Sequence, residues 1–257
     1  MKVVILAGGL GTRMREETEF KPKPMVDIGG KPLIWHVMKI YSKFGFSDFI
    51  ICLGYKGEMI KDYFLSYEVL NSDFTLELGK HNEIEFHNKH EETGWKITFA
   101  DTGLNACTGS RIKQVEKYIN EDEFLVTYGD GVSDVDIKQL LNFHHSHNKI
   151  GTITGVRPPS RFGELFTSKN EVIKFSEKPQ SSQGYINGGF FVFKKEFLNY
   201  LTTDYDCILE RKPLEKLAMD NHLMMYPHDG FWQCVDTYRD HKYLQELWDK
   251  GMTPWLI

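Results

Sequence analysis

Long apolar runs are missing from this sequence. No stretch of about 18 uninterrupted apolar residues occurs, so no segment reads as a membrane-spanning helix. The start, with a single Lys2 ahead of a short apolar run, lacks the layout of a secretory leader, and a cytoplasmic protein with no membrane partner is expected. Positive charge is not in surplus either. With 31 Lys and Arg against 36 Asp and Glu the formal charge is -5, which leaves no basic excess to release the counterions condensed on a polynucleotide. No nucleic-acid partner is expected. Cysteine is sparse and scattered: Cys52, Cys107, Cys207 and Cys234 form no C-x-x-C pair, and the spacing predicts free buried thiols rather than a disulfide frame or a thiolate zinc site. Internal repeats, low-complexity tracts and flexible linkers are absent as well.

What is present is a chain of 257 residues, enough for one large α/β domain with a sizeable core. Its organising stretch is Val3-Val4-Ile5-Leu6-Ala7-Gly8-Gly9-Leu10-Gly11-Thr12-Arg13, followed by Lys21-Pro22-Lys23-Pro24. An apolar β-branched segment that ends in clustered glycines reads as a buried strand opening into a loop where backbone must approach a ligand closely. Such a loop suits phosphate, with Thr12 and Arg13 adding a hydroxyl and a bidentate cation. The dinucleotide fingerprint fits Gly9 and Gly11 but puts Met14 at the third glycine, and the second strand ends at Gly54-Tyr55 without a ribose-binding acid. The NTPase P-loop fails because no Gly-Lys-Ser/Thr follows. Pro22 and Pro24 predict an extended segment that carries Lys23 on a stiff arm.

L-A-G-G-L-G-T-R followed by K-P-K-P is similar to the signature of the sugar-1-phosphate nucleotidyltransferases, although Met14-Arg15-Glu16-Glu17 stands where many members carry a proline. The resemblance covers nearly the whole chain except residues 68–92. It implies a Rossmann-like α/β fold: a mixed, mostly parallel central sheet flanked by helices, with a smaller β-rich sugar-binding portion. One domain spans 1–257, with residues 1–148 as the nucleotide half and 149–257 as the sugar-phosphate half. The implied reaction joins a nucleoside triphosphate to a sugar 1-phosphate and releases pyrophosphate.

Further along, Leu33, Val37, Ile40, Tyr41 and Phe44 share one face at helical spacing, Gly45 stops that helix, and residues 48–54 read as the next strand of a parallel β-α-β unit. Residues 57–67 read as a second helix. Periodicity weakens from 68 to 92, which reads as an insertion; with Trp95 and several phenylalanines nearby, it is expected to help form a homo-oligomer. His81, His87 and His90, like His144, His145 and His147, read as solvated or packed side chains rather than ligands.

Asp101 to Arg111 is a second small-residue loop after a strand, suited to reading a flat base edge or serving as a plain strand-to-helix connection. It sits where the family binds the base, and the resemblance here implies CTP and glucose 1-phosphate as substrates, feeding deoxysugar and O-antigen precursors. Phe124 to Tyr128 is an apolar strand that delivers Asp130 toward the crevice of the glycine loop; a loop-capping aspartate is the plainer reading. Asp134 and Asp136 read as helix N-terminal acids. Short strands dominate from Ile150. Glu177-Lys178-Pro179 and Asn187-Gly188-Gly189 match the family's sugar-phosphate region, whereas as isolated tripeptides they read as surface turns. Asp236 reads either as an N-cap or, by the resemblance, as the family's second magnesium aspartate.

The resemblance thus implies nucleotide contacts from Leu6, Ala7, Gly8, Gly9, Gly11, Thr12, Arg13, Lys23, Gly103, Thr108, Gly109, Ser110, Arg111, Tyr128 and Gly129. Sugar-phosphate contacts are implied for Glu177, Lys178, Asn187 and Gly188, and Mg²⁺ for Asp130 and Asp236. A sugar 1-phosphate has a second pKa of about 6 and needs no general base to attack. The barrier is the meeting of two anions, so positioning and electrostatics should carry catalysis: Arg13 at the leaving β,γ-phosphates, Lys23 at the α-phosphate, Lys178 at the sugar phosphate, with inversion at phosphorus. No histidine lies in these loops to support a covalent route.

Overall fold

Val3, Val4, Ile5 and Leu6 are apolar without alternation, the pattern of a parallel strand covered on both faces, and they form β1 (Val3–Leu6), buried throughout. The computed structural model describes residues 1–11, 20–79, 83–157, 164–168, 171–176 and 184–256, with 164–168 and 173–176 described by backbone alone. After β1 come β2 (Asp27–Ile28), β3 (Lys31–Pro32), α1 (Leu33–Lys43), β4 (Asp48–Leu53), α2 (Gly57–Leu65) and α3 (Tyr67–Asn71). The chain continues through β5 (Phe74–Leu76), β6 (Ile84–Phe86), β7 (Lys96–Asp101), α4 (Thr108–Gln114), β8 (Glu123–Tyr128), β9 (Gly131–Ser133) and α5 (Ile137–His145). Then follow β10 (Gly151–Val156), β11 (Glu164–Ser168), β12 (Glu171–Ser176), β13 (Ile186–Lys194), α6 (Lys212–Met219), β14 (Leu223–His228), β15 (Trp232–Cys234) and α7 (Tyr238–Asp249).

Seven strands form the central sheet in the order β14-β10-β13-β8-β1-β4-β7. All its pairings are parallel except those of β13, which runs antiparallel to both β8 and β10. The expected mixed, mostly parallel sheet is therefore observed. Strand order diverges on either side of β1, with β4 and β7 one way and β8 the other, so a crevice opens beyond the carboxyl ends of β1 and β8. Leu6 is in register with Tyr128, which brings Ala7-Gly8 and Gly129-Asp130 out of the sheet side by side. Because β13 is antiparallel, its first residues, Asn187 and Gly188, reach the same end.

Two cores sandwich the sheet. Val3 and Ile5 pack with Leu33, Val37 and Tyr41 of α1, Leu140 of α5 and Leu244 of α7, while Val4 and Leu6 pack with Ile112 of α4 and Leu217 of α6. Alternation of β1 side chains across the sheet makes this three-layer arrangement.

Several expectations are corrected. The helix expected over 57–67 breaks at Ser66 into α2 and α3. The insertion 68–92 holds regular structure, a hairpin in which Phe74 faces Phe86 and Leu76 faces Ile84; His81 lies outside the described residues. Asp136 caps α5 by accepting the Gln139 N–H at 2.9 Å, but Asp134 instead pairs with His228 at 2.8 Å. All four cysteines are free, yet only Cys52 is fully buried.

Candidate active site

The glycine loop begins in the groove between β1 and β4. Ala7 N–H donates to Cys52 O at 3.1 Å, and Tyr55 N–H donates to Gly8 O at 3.3 Å. A Cβ on Gly8 would lie 2.1 Å from Arg111 Nη1, so this glycine makes room for a guanidinium. Arg111, on α4 and 4% exposed, donates to Leu53 O, Thr102 Oγ1, Gly8 O and Leu104 O at 2.6–3.3 Å. Burial holds its pKa below the ordinary value. It braces the loop from beneath and still lines the crevice.

Lys23 is not on an extended arm. Residues Lys23–Met25 form a single 3₁₀ turn, with Met25 N–H donating to Pro22 O at 2.8 Å and Val26 N–H to Lys23 O at 3.1 Å. The bias of a residue before proline toward extended backbone is overridden, because a proline in a first turn forfeits an N–H that has no intrahelical partner anyway. From this turn the ammonium reaches Asp130 Oδ2 at 2.7 Å and Asp236 Oδ1 at 2.6 Å. Burial alone would lower its pKa, but the two carboxylates outweigh it and hold it above the ordinary value.

Asp130 and Asp236 are neighbours because β9 and β15 pair antiparallel, Gly131 opposite Cys234, and Val235 N–H donates to Asp130 O at 2.8 Å. The N-cap of α7 is Thr237, which forms a capping box with Asp240, whose carboxylate also accepts Asp236 N–H at 3.0 Å. Asp236 is therefore not the cap, and its side chain faces Lys23. Cys234, beside both acids, has its thiol pushed up to about 12, first by burial and then by the carboxylates.

Two adjoining crevices, of about 380 and 300 Å³, share Tyr128, Asp130, Glu210 and Asp236. The larger brings together Leu6, Ala7, Gly8, Gly9, Gly11, Lys23, Thr108 and Arg111; the smaller adds Asn187 and Gly188. Gly103, Gly109, Ser110 and Gly129 line neither: the Ser110 hydroxyl turns away to Thr203 O at 3.0 Å, and Gly109 packs against Cys207. Thr12, Arg13, Glu177 and Lys178 lie outside the described residues. At the junction, Tyr128 donates to Glu210 Oε1 and accepts from Asn187 Nδ2 at 3.1 Å; burial and Glu210 raise its pKa, so it stays protonated. Trp232 Nε1–H holds Gly188 O at 2.8 Å. Glu210, Trp232 and Cys234 were not foreseen. Only Trp232 and Cys234 had a sequence signal, their place in the run leading to Asp236.

The carboxylate pair offers hard oxygen donors around one position that already takes a cation, the chemistry a hard divalent ion requires. Among the described residues no group of three or more His, Cys, Asp or Glu gathers to hold a metal, so such an ion would complete its shell with substrate phosphates and water.

Residues 2–235 match the family described as Nucleotidyl transferase. A glucose-1-phosphate cytidylyltransferase of Salmonella typhi is 50% identical over 256 residues, covering 99% of this chain and 98% of that one. A probable glucose-1-phosphate cytidylyltransferase of Bacillus subtilis (strain 168) is 43% identical over 257 residues, 100% of each. In fold, a putative glucose-1-phosphate thymidylyltransferase from Bacillus anthracis superposes with a TM-score of 0.69 at 18% identity, covering 96% of this chain and 94% of that one.

Proposed function

Since the chain belongs to the nucleotidyl transferase family, we propose that it transfers a cytidylyl group from CTP to α-D-glucose 1-phosphate, giving CDP-glucose and pyrophosphate. The observation that carries the reading is Lys23 held between Asp130 and Asp236 where the two crevices meet. Two relatives named for this activity, similar over almost their whole length, support the choice of base and sugar.

The sugar-phosphate oxygen forms a bond to the α-phosphorus as the bond to the β-phosphate oxygen breaks, and the in-line geometry inverts phosphorus. Lys23 at the crevice junction meets charge developing at the α-phosphate, and the Asn187 amide and Gly188 backbone orient the sugar end. Arg13 and Lys178, outside the described residues, would serve the leaving pyrophosphate and the incoming sugar phosphate. Asp130 and Asp236 would hold Mg²⁺, which when bound neutralises phosphate charge. We further propose a cytoplasmic homo-oligomer assembled through the β5–β6 hairpin, supplying deoxysugar and O-antigen precursors. Among the described residues no helix is long and apolar enough to cross a membrane.

The test is pyrophosphate release across the four nucleoside triphosphates crossed with several hexose 1-phosphates. CTP with glucose 1-phosphate should show the highest kcat/KM. A different preferred pair would replace the substrate assignment, and no release with any pair would remove the catalytic reading.

A further inference from the structure

Glu210 has no part in the chemistry above, yet it borders both crevices. The segment that carries it is fastened to α4 and the turn before it: Cys107 N–H donates to Tyr205 O at 2.8 Å, Ser110 N–H to Cys207 O at 3.1 Å, and Leu209 N–H to Thr108 Oγ1 at 2.9 Å. Leu209 itself is fully buried. The backbone that carries the exposed Glu210 side chain is thus held in place.

Two hydroxyls donate to that carboxylate, Thr108 Oγ1 at 2.7 Å from the nucleotide side and Tyr128 at 2.5 Å from the strand between the crevices. An ionised carboxylate only accepts, so the directions of both bonds are set. With its proton committed to Glu210, Tyr128 has lone pairs left for Asn187 Nδ2, and Asn187 Oδ1 accepts Gly189 N–H at 2.8 Å. The Asn187 amide is therefore oriented from both ends. Gly189 sits at φ +81°, and a Cβ there would lie 2.5 Å from Tyr128 Cδ2, so this end of the relay tolerates little displacement. A negative charge beside pockets for two anions is electrostatically unfavourable, which makes a purely incidental Glu210 a poor account of its place.

Resting on the nucleotidyl-transfer reading, we propose that Glu210 is a positioning residue that ties the two crevices together. Through Tyr128 it orients the Asn187 amide toward the sugar end of the sugar 1-phosphate, and through Thr108 it holds that amide in register with the nucleotide. Glu210→Gln preserves size but turns an amide N–H toward one of the two hydroxyls, reversing one bond of the relay. Tyr128→Phe removes the middle link without touching the Thr108 bond.

The experiment measures steady-state kinetics and calorimetric CTP binding for the wild type, both single variants and the double variant. Each single variant should raise KM for glucose 1-phosphate on the order of tenfold and change kcat less, and Glu210→Gln, at a residue with no expected nucleotide contact, should leave the CTP Kd within about twofold. The double variant should be no worse than the poorer single one, since groups acting through one relay do not add. The proposal is overturned by an unchanged sugar KM in Glu210→Gln or by effects that multiply in the double variant. Equal losses for both substrates together with a lowered melting midpoint would also overturn it, as the mark of a loop that only supports the fold. A wild type inactive with every substrate pair removes the reaction and this proposal together; an active wild type with unaltered variants removes this proposal alone.

Discussion

Lys23 and Asp236, 213 positions apart, meet at 2.6 Å, and the same ammonium lies 2.7 Å from Asp130. Three separate pieces of chain put them there: a 3₁₀ turn, the end of β8, and the end of β15. If Asp130 and Asp236 hold the divalent ion proposed above, the lysine occupies its position, and ammonium and metal would compete for one pair of carboxylates until phosphate offers the lysine another partner.

Lys23→Met should then separate two effects. Turnover should fall on the order of 10²-fold, because charge developing at phosphorus loses its partner. Mn²⁺ binding without nucleotide, followed by electron paramagnetic resonance, should tighten at least about tenfold as the competing cation is removed. Weaker Mn²⁺ binding in the variant would contradict the competition.

Asp130→Asn and Asp236→Asn should each lower kcat on the order of 10²-fold while the melting midpoint holds. Thr237→Ala should do the reverse, losing about 1 kcal/mol of stability with the cap and retaining activity. Near-normal turnover of Asp236→Asn across a magnesium titration would return that residue to a structural role.

How much of this was legible in the sequence follows from how far each residue's role depends on neighbours along the chain. Asp130 stands out because it follows an apolar strand, and strand ends in such sheets face the ligand; Asp236 is reached only through the family resemblance. The choice between cap and site for Asp236 stayed open, because Asp236-Thr237 offers two adjacent capping residues and only the Asp240 contact selects Thr237. The backbone of Lys23 is not legible in the sequence, since the pattern Lys-Pro-Lys-Pro fits both an extended arm and a proline-started turn. Glu210 was invisible: residues 201–211 carry no strand or helix period, and the residue gains its neighbours from Thr108 and Tyr128, 102 and 82 positions away.

Acid should destabilise the protein through two buried histidines. His36 accepts Trp255 Nε1–H at Nδ1 (3.1 Å) and donates from Nε2 to Ile28 O (2.9 Å), so the neutral ring is fully used. Burial lowers the pKa of His36 and of His144 from 6.5 to about 4. Above about 6.5 neither folded nor unfolded chain is protonated at these rings and they add no pH dependence. Between 6.5 and about 4 the unfolded chain takes up protons that the folded chain refuses, so stability falls with pH, by on the order of a few kcal/mol per ring. Urea midpoints from pH 7.5 to 4 should show this slope, and His36→Asn should flatten it; matching slopes would reject the assignment.

The β5–β6 hairpin should bind a second copy of the chain. Phe74, Leu76, Ile84 and Phe86 are 37–48% exposed and Leu78 is 89% exposed, and an uncovered two-stranded hairpin is marginal in water. Light scattering should give an oligomeric mass that Leu76→Glu with Phe86→Glu lowers. A monomeric wild type would end this idea.

Gly8 and Gly9 are adjacent and both border the crevice, but they should answer to mutation in opposite ways. A methyl on Gly8 would strike the Arg111 guanidinium at 2.1–2.9 Å, and Arg111 is held by four bonds to backbone and Thr102. Gly8→Ala must push that network aside, so it should cost about 1–3 kcal/mol of stability, as overpacking does. Among the described residues no atom lies within 4 Å of a methyl on Gly9, which lines the crevice. Gly9→Ala should therefore stay within about 0.5 kcal/mol of the wild type in stability, while weakening CTP binding by roughly tenfold as the methyl takes space the phosphates need. Urea denaturation and calorimetry read the two quantities separately. A destabilised Gly9→Ala with unchanged CTP affinity would mean that the loop's glycines serve packing alone, and the phosphate reading of this stretch would have to be given up.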